Sequence, residues 1–233
     1  MLTNNEIKKI KSLREKKFRD SLGLFVVEGE KMVQEALSSG FEIVKIVRRE
    51  DEGDAVMARI SSLSTPSPIL AVVKKPSIDA VEKPEGLCLA LDSIRDPGNL
   101  GTIMRIADWF GIERIFASPD TVEVYNPKVI QASMGTIFRK RLNYCNLPEL
   151  CKSFASSGMQ VFGTFLEGEN IYECELPEEG LIIMGNEADG ISPEVSAEVS
   201  RRLTIPSFAK GAGAESLNVA SAAAVILSEF RRR

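Results

Sequence analysis

The hydrophobic residues from position 87 onwards follow two alternating patterns. Short and almost continuous apolar runs, such as LCLALD at 87–92, are typical of strands that are buried on both faces of a sheet. Between these runs, apolar residues recur with the period of a helix. The runs predict strands at 87–92, 114–118, 141–145, 160–166, 181–186 and 203–206, and the periodic segments predict helices at 99–110, 127–138, 148–156, 193–199 and 217–230. Strands that alternate with helices predict an α/β fold with a parallel sheet covered on both faces.

The part of the chain before position 87 is less regular and predicts a small mixed α/β unit. Its expected elements are helices at 4–20, 31–37 and 59–63 and strands at 24–29, 42–47 and 65–75. The stretch PSIDAVEKPEG, 76–86, combines two prolines, charges and a glycine, and is typical of a linker. We therefore expect one domain at 1–78, a linker at 79–86 and a second domain at 87–233.

The composition excludes several catalytic mechanisms and kinds of site. The chain contains no histidine, which excludes Ser-His-Asp and Cys-His nucleophilic catalysis. Its four cysteines form no C-x-x-C pair, so we expect no zinc or other metal site. No apolar run is long enough to span a bilayer, and the N-terminus has no signal-peptide core. We therefore expect a cytoplasmic protein in which carboxylates, Lys, Tyr, Cys, Arg or the substrate move any proton.

The charge is distributed unevenly. The formal net charge is −4, which does not by itself indicate a nucleic-acid partner. However, residues 1–20 contain seven Lys or Arg against three acidic residues, and a local basic patch can bind phosphates whatever the net charge. A solvated helix face is an equally good explanation of this cluster.

Three segments, at 92–111, 182–192 and 205–218, each contain a loop of small or polar residues that leaves a predicted strand. Because ligands of open α/β sheets bind beyond the carboxyl ends of the strands, these loops predict a binding site. The third loop contains Gly211 and Gly213, which let a ligand approach the backbone. Ser216 is placed to cap the last helix, and a purely local capping role for Ser216 and Asn218 is the simpler alternative.

None of the three loops is a nucleotide phosphate loop. The sequence has no GxxxxGK[ST] and no GxGxxG between a strand and a helix. ATP hydrolysis and NAD chemistry are therefore not favoured, although a nucleotide-using α/β enzyme with another kind of phosphate loop stays open as an alternative.

The three loops resemble the three motifs of the SpoU (TrmH-type) RNA ribose 2′-O-methyltransferases of the SPOUT superfamily. The first motif, N-x-G-x-x-x-R, is matched by Asn99, Gly101 and Arg105; the second, G-N-E-x-x-G-[IL], by 185–191; and the third, which ends in S-L-N-V, by 205–219. The resemblance covers 84–233, and the N-terminal part resembles the ribosomal-protein-like substrate-binding domain of many members. Ala220 and Ser207 depart from the usual third motif.

The resemblance implies a fold, a cofactor and an assembly. The C-terminal segment is expected to form a deep trefoil knot, and the loops of the second and third motifs to hold S-adenosylmethionine. The expected cofactor-binding residues are Gly185, Asn186, Ile205, Gly213 and Leu217. The partners it implies are a second copy of the chain, with the active site completed across a homodimer interface, and a structured RNA. Ribosomal RNA is favoured over transfer RNA, and an RNA-binding module without methyl transfer is the alternative.

The resemblance also assigns catalytic roles. The expected catalytic residues are Asn99, Arg105, Glu187, Ser216 and Asn218. Arg105 lies at the 2′-hydroxyl in this family, where it has been viewed as a base. Because a guanidinium stays protonated near neutral pH, binding of a phosphate and stabilisation of the developing alkoxide are the better supported roles. Trp109 and Phe110, at the end of the same helix, are expected to pack rather than to stack on bases.

Overall fold

A computed structural model describes residues 1–76, 85–112, 114–210 and 215–232. The chain forms two compact units, one made of Met1–Asp79 with Glu123–Arg139 and the other of Ala80–Val122 with Lys140–Arg233. The segment 123–139, which the sequence pattern placed between two strands of the second domain, therefore belongs to the first unit.

The first unit contains a small antiparallel sheet. Its elements are α1 Asn4–Ser12, α2 Lys16–Leu22, β1 Leu24–Glu28, α3 Glu30–Ser38, β2 Ile43–Arg48, α4 Arg49–Glu52, α5 Asp54–Ile60 and β3 Ile69–Lys74. Strand β3 lies between β1 and β2 and is antiparallel to both. The mixed α/β character expected for this part of the chain is present.

The single helix predicted at 4–20 is wrong, because the chain forms two helices there. Helix α1 begins with a capping box between Thr3 and Glu6 and ends at Leu13. The guanidinium of Arg19, in α2, donates hydrogen bonds of 2.9 and 2.8 Å to the carbonyl oxygens of Leu13 and Arg14. This buried side chain thus satisfies carbonyl groups that the break between the helices leaves without helical partners.

The second unit is built on a six-stranded sheet. Along the chain follow β4 Leu87–Leu91, α6 Pro97–Trp109, β5 Arg114–Ala117, α7 Pro127–Ser133 (in the first unit), β6 Arg141–Tyr144, α8 Leu147–Ser156, β7 Val161–Asn170, β8 Gly180–Met184, α9 Pro193–Ser196, β9 Arg201–Thr204 and α10 Val219–Arg231. The strand order is β6-β5-β4-β8-β7-β9, and every pairing is parallel. The predicted α/β class with a parallel sheet is confirmed.

Before position 87, the helix predicted at 59–63 is instead α5, Asp54–Ile60, and after it two elements differ from the pattern by four residues or more. The helix predicted at 127–138 ends at Ser133, because Met134 and Gly135 both adopt positive φ, of 50° and 95°, before a short 3-10 turn. Strand β7 extends to Asn170 rather than to position 166, because after a register shift it pairs a second time with β9. Gly135 is a local signal for the end of this helix that the apolar period does not contain, whereas the extension of β7 depends on β9, a partner that is distant in sequence.

The strand order creates a switch point between β4 and β8. From β4 the chain proceeds outwards through β5 to β6, and β8 lies on the opposite side of β4. The loops that leave these two central strands therefore diverge at the same edge of the sheet, which is where open α/β sheets bind their ligands. Both strands are entirely buried, so the loops start from a rigid core.

Candidate functional site

Asp92 joins the two loops that leave the switch point. It follows β4 directly and is almost completely buried. Its carboxylate accepts hydrogen bonds of 2.7 Å from both the backbone N–H and the hydroxyl of Ser192, at the far end of the loop that follows β8. The loop that follows β4 is thereby held against the loop that follows β8.

The loop after β8 is shaped by Asn186 and two glycines. The side-chain oxygen of Asn186 accepts from the N–H groups of Ala188 and Asp189, at 2.8 and 3.2 Å, and its amide donates to the carbonyl of Ser93 at 2.7 Å. Two backbone hydrogen bonds between Asn186 and Gly190 close the turn. Both ends of the Asn186 amide are thus engaged in holding the loop.

Gly185 is a position at which a side chain would not fit. A Cβ there would lie 2.4 Å from the carbonyl carbon of Gly190 and from the backbone nitrogen of Ile191. Backbone therefore packs directly on backbone at the carboxyl end of β8. The fold of the loop after β8 therefore depends on a glycine at position 185.

Asn99, Glu187 and Asn218 connect the three predicted motifs. The amide of Asn218 donates to the side-chain oxygen of Asn99 at 2.9 Å, and the amide of Asn99 donates to the carboxylate of Glu187. Asp96, the N-cap of α6, accepts from the backbone N–H of Asn99 at 2.8 Å and so fixes its position. The structure therefore brings one residue of each motif into a single hydrogen-bonded row.

Arg105 does not join this row within the chain. It lies on α6 six residues after Asn99, which places it about 9 Å further along the helix axis and about 240° around it. Its side chain is exposed, and it has no hydrogen bond or ion pair with any other residue that the structure describes. Trp109, one turn further along, shares this face and is 85% exposed, so it does not pack within its own chain as expected.

The third loop differs in its helix start. Ser216 does not cap α10, because the N-cap is Asn218, whose side-chain oxygen accepts from the N–H groups of Ala220 and Ser221 at 3.0 and 3.3 Å. Ser216 is exposed, and Leu217 is 52% exposed although it is apolar. Ile205 is half-buried directly after β9. Gly211 and Gly213 lie outside the described residues.

Some residues that shape the site were not singled out by the sequence. Asp92, Ser192 and Asp96 hold the loops together, although none of them was among the expected catalytic or cofactor-binding residues. Asp96 and Ser192 each precede a proline, which is a local signal for a helix start but not for a contact between the loops. The roles of Asp92 and Ser192 depend on a contact across 100 residues. No local pattern reveals such a contact.

Two of the four cysteines are poorly suited to act as nucleophiles. Burial raises the pKa of the Cys145 thiol to about 11, and burial together with the charge of Glu198 raises that of Cys151 to about 12, so both thiols are protonated near neutral pH. Among the described residues, no group of three His, Cys, Asp or Glu side chains could hold a metal ion. In the same part of the chain, no helix is long and apolar enough to cross a membrane.

Two family models match the chain. Residues 86–228 match the SpoU rRNA Methylase family, and residues 4–54 match the MRM3-like substrate binding domain. The first match contains Asn99, Glu187 and Asn218, and the second lies entirely within the first unit.

Similar proteins are known along the full length of the chain. The 23S rRNA (guanosine(2553)-2′-O)-methyltransferase RlmP of Bacillus subtilis is 30% identical over 98% of this chain and 96% of its own. A putative RNA methyltransferase of the TrmH family from Porphyromonas gingivalis has a similar structure, with a TM-score of 0.89 and 41% identity over 100% of this chain and 99% of its own. An AdoMet-bound rRNA methyltransferase from Sinorhizobium meliloti gives a TM-score of 0.86 at 28% identity, covering 100% and 96% of the two chains.

Proposed function

Because the chain belongs to the SpoU rRNA methylase family, we propose that it transfers a methyl group from S-adenosylmethionine to a ribose 2′-hydroxyl of ribosomal RNA. The observation that carries this proposal is the row of hydrogen bonds from Asn218 through Asn99 to Glu187. The row joins three loops at the switch point of a parallel sheet. Its residues Asn99 and Asn218 are 119 positions apart in the sequence.

The loops after β8 and β9 fit S-adenosylmethionine, the cofactor bound by the relative from Sinorhizobium meliloti. The tight backbone contact at Gly185 fixes the turn that follows β8, and Leu217 offers an exposed apolar side chain. Gly185, Ile205 and Leu217 would line the cofactor, with Gly213 in the same loop, and Asn186 would act by holding the loop. When bound, the cofactor supplies an electrophilic methyl group on a sulfonium centre.

The chain's own residues position and stabilise the nucleophile. Methyl transfer to a hydroxyl requires the oxygen to lie close to the methyl, in line with the bond that breaks, and to lose its proton. Arg105 would bind a substrate phosphate and stabilise the negative charge that develops on the oxygen. Glu187, held by Asn99, provides an acceptor for a ribose or base hydrogen, and Ser216 stands exposed in the loop that precedes Asn218.

A homodimer would complete this site. Arg105 and Asn99 point in directions about 120° apart around α6, so one α6 does not direct both side chains at one small ligand. The face of α6 that carries Arg105 also carries Trp109, whose exposure leaves a large aromatic surface without a partner in its own chain. Docking of this face on a second copy would cover Trp109 and place Arg105 at the neighbour's site.

The C-terminal segment would form a trefoil knot. Strand β9 lies at the edge of the sheet, beside β7, yet α10 packs on α6, which follows the central strand β4. Arg231 near the end of α10 donates to the carbonyl oxygen of Phe110, at 2.9 Å, and thereby ties the two helices together. The chain thus leaves β9 at the edge of the sheet and enters α10 beside α6, an arrangement that supports a knotted C-terminal segment.

The N-terminal domain, 1–78, would bind the RNA and would be joined through 79–86 to the methyltransferase domain at 87–233. Its match to a substrate-binding family supports this role, as do three exposed lysines on α1, Lys8, Lys9 and Lys11. The relative from Bacillus subtilis is named for ribosomal RNA, which favours that substrate over transfer RNA. If ribosomal RNA is the substrate, the protein acts in the cytoplasm. The proposed methyl transfer needs no metal ion.

Mapping of ribose 2′-O-methyl groups in total RNA tests the proposal. Deletion of the gene should remove a methyl group from ribosomal RNA, and the wild-type gene, but not one encoding Arg105→Ala, should restore it. If the methyl group is lost from a transfer RNA instead, the proposed reaction stands and the proposed substrate is wrong. An unchanged map would contradict methyl transfer, and the RNA-binding module without activity would then be the better description.

A further inference from the structure

Arg95 stands four residues before Asn99 and pairs with Asp189, two residues after Glu187, so it belongs to the same two loops as these residues of the row. On its N-terminal side, the N–H of Ser93 donates to the Ser118 hydroxyl at 2.8 Å, and the buried Ile94 is held through its N–H by Thr121 at 3.2 Å. On its C-terminal side, Asp96 caps α6. The backbone of Arg95 is therefore held from both sides, while its side chain points into solvent.

The partner that Arg95 has in the structure is weak. A terminal nitrogen of Arg95 lies 3.7 Å from a carboxylate oxygen of Asp189, and these side chains are 65% and 71% exposed. That distance is too long for a hydrogen bond. Exposed ion pairs contribute about 0–1 kcal/mol, so the pairing is easily exchanged for a stronger one. A phosphate, which a guanidinium can bind through two parallel hydrogen bonds, is such a partner.

The charge around the site explains why a cation is needed here. The loop 185–192 carries Glu187 and Asp189 and has no Lys or Arg. In the segment 92–96, Arg95 is the single cation beside two aspartates. Asp120 adds a further carboxylate, and hydrogen bonds from Ser118 and Ser93, together with the charge of Arg95, lower its pKa. Without Arg95, the charged side chains of 92–96 and 185–192 that an RNA backbone would meet near Glu187 are all carboxylates.

We propose that Arg95 is a substrate-binding residue, which contacts a phosphate next to the methylated ribose and which Asp189 holds in place until RNA binds. This inference rests on the proposed function, because it takes RNA as the ligand of the site. It adds a contact that is separate from Arg105, on a different loop and on a rigid backbone. Asp189 is the exchangeable counter-ion, so its removal should favour RNA binding.

Substitutions at the two positions should act in opposite directions. The probe is a large-subunit ribosomal RNA transcribed in vitro, measured by filter binding with S-adenosylhomocysteine present. Arg95→Gln should weaken binding about ten-fold and reduce the slope of log affinity against log salt by about one. Asp189→Asn should strengthen binding about two-fold. The melting temperature and the affinity for S-adenosylhomocysteine should stay unchanged in both variants.

A matched control separates a specific contact from a general loss of charge. Lys152, in the same unit, forms a similarly loose pair with Glu198 at 3.5 Å, so Lys152→Gln removes one exposed cation elsewhere. It should leave the affinity for the RNA within about two-fold of wild type. Methyl transfer to the same transcript provides a second measurement, in which Arg95→Gln should raise KM and leave kcat nearly intact.

Three results would overturn the assignment of Arg95. The first is an affinity for RNA and a salt slope of Arg95→Gln that equal those of the wild type. The second is an equal weakening of RNA binding by Arg95→Gln and Asp189→Asn, together with lower melting temperatures. The third is a weakening of RNA binding by Lys152→Gln that equals the one caused by Arg95→Gln. The second result would identify the pair as a structural tie between the loops. Because binding is measured without transfer, a wild-type protein that binds but does not methylate would contradict the proposed function alone.

Discussion

The side-chain amide of Asn218 donates a hydrogen bond of 2.9 Å to the side-chain oxygen of Asn99, across 119 residues of sequence. Asn99 donates in turn to Glu187, so the row has one direction and ends on a carboxylate. Only a side chain with both a donor and an acceptor can stand in the middle of such a row, and a primary amide has both. Asn99 uses both groups within the row, whereas Asn218 donates to the row and uses its oxygen to cap α10.

Asn218→Asp should separate the two roles of Asn218. An aspartate keeps the oxygen that caps α10 and adds a favourable negative charge at the helix N-terminus, so the melting temperature should be unchanged or higher. It removes the donor to Asn99, and the rate of methyl transfer should fall by at least about ten-fold. Single-turnover transfer and a thermal melt measure both effects.

Asn218→Ala is the control for that experiment, because it removes the cap and the donor together. Its stability should decrease by about 1 kcal/mol in addition to the loss of activity. Wild-type transfer by Asn218→Asp would show that Asn218 only caps the helix.

Arg105→Ala should abolish most of the transfer while leaving cofactor affinity intact. If the guanidinium stabilises the developing alkoxide, its removal should lower the rate by roughly 10²–10³-fold. The Kd of S-adenosylhomocysteine, measured by calorimetry, should not change. Arg105→Lys keeps the charge without the planar fork and should recover only part of the rate. Wild-type turnover in Arg105→Ala would remove Arg105 from the mechanism.

Gly185→Ala should destroy the loop that follows β8. The added methyl would lie 2.4 Å from backbone atoms of Gly190 and Ile191, which cannot move as a flexible side chain could. We expect the variant to lose measurable affinity for S-adenosylhomocysteine in a thermal-shift titration. Gly40→Ala is the matched control, because its methyl would meet no described atom within 4 Å and should leave the titration unchanged. A normal titration of Gly185→Ala would contradict a role of this loop in cofactor binding.

The parallel sheet was predictable because buried central strands need uninterrupted apolar runs, and β4 and β8 have them. The convergence of the three loops followed from the same fact, since the carboxyl ends of parallel strands meet at one edge. The hydrophobic pattern cannot predict which of two suitable residues makes a given hydrogen bond. Both Ser216 and Asn218 are good caps, and the additional hydrogen bond to Asn99 accompanies the use of Asn218.

The first unit shows the same limit. The helix pattern of 4–20 continues through Leu13, but the two helices separate there, where a buried arginine at position 19 binds the free carbonyl groups. Likewise, 123–139 packs into the first unit although its neighbours in sequence build the second. Within that unit, Glu123 pairs with Arg19 and with Lys75, which lies 2.9 Å away. Such long-range ion pairs leave no trace in local periodicity.

The stability of the first unit should fall in acid through Asp20. Hydrogen bonds from Lys16 and then Lys75 lower the pKa of Asp20 from 3.8 to about 2. Because the pKa is lower in the folded than in the unfolded state, the stabilisation is complete above the unfolded value and is lost as the pH falls from 3.8 towards 2. Asp20→Asn should therefore flatten the decline of the urea midpoint over this interval.

Asp51→Asn provides the comparison for Asp20. It removes an exposed carboxylate of the same unit that has no hydrogen bond or ion pair with another described residue. Its acid profile should follow that of the wild type. An identical decline in Asp20→Asn would show that the lysines contribute nothing to the acid sensitivity of the fold.

Mixed dimers of two impaired variants should be more active than either variant alone if each site is shared between two copies. In a hybrid of Arg105→Ala with Asn218→Asp, one site would carry both changes, whereas the other would combine an intact Arg105 with an intact Asn218. Random pairing of equal amounts makes half of the dimers hybrids, so about a quarter of the wild-type activity should return. Each variant incubated alone is the control and should keep its own reduced rate. If Arg105 instead serves the Asn218 of its own chain, every site in every hybrid has one defect, and the mixture should remain as inactive as its components.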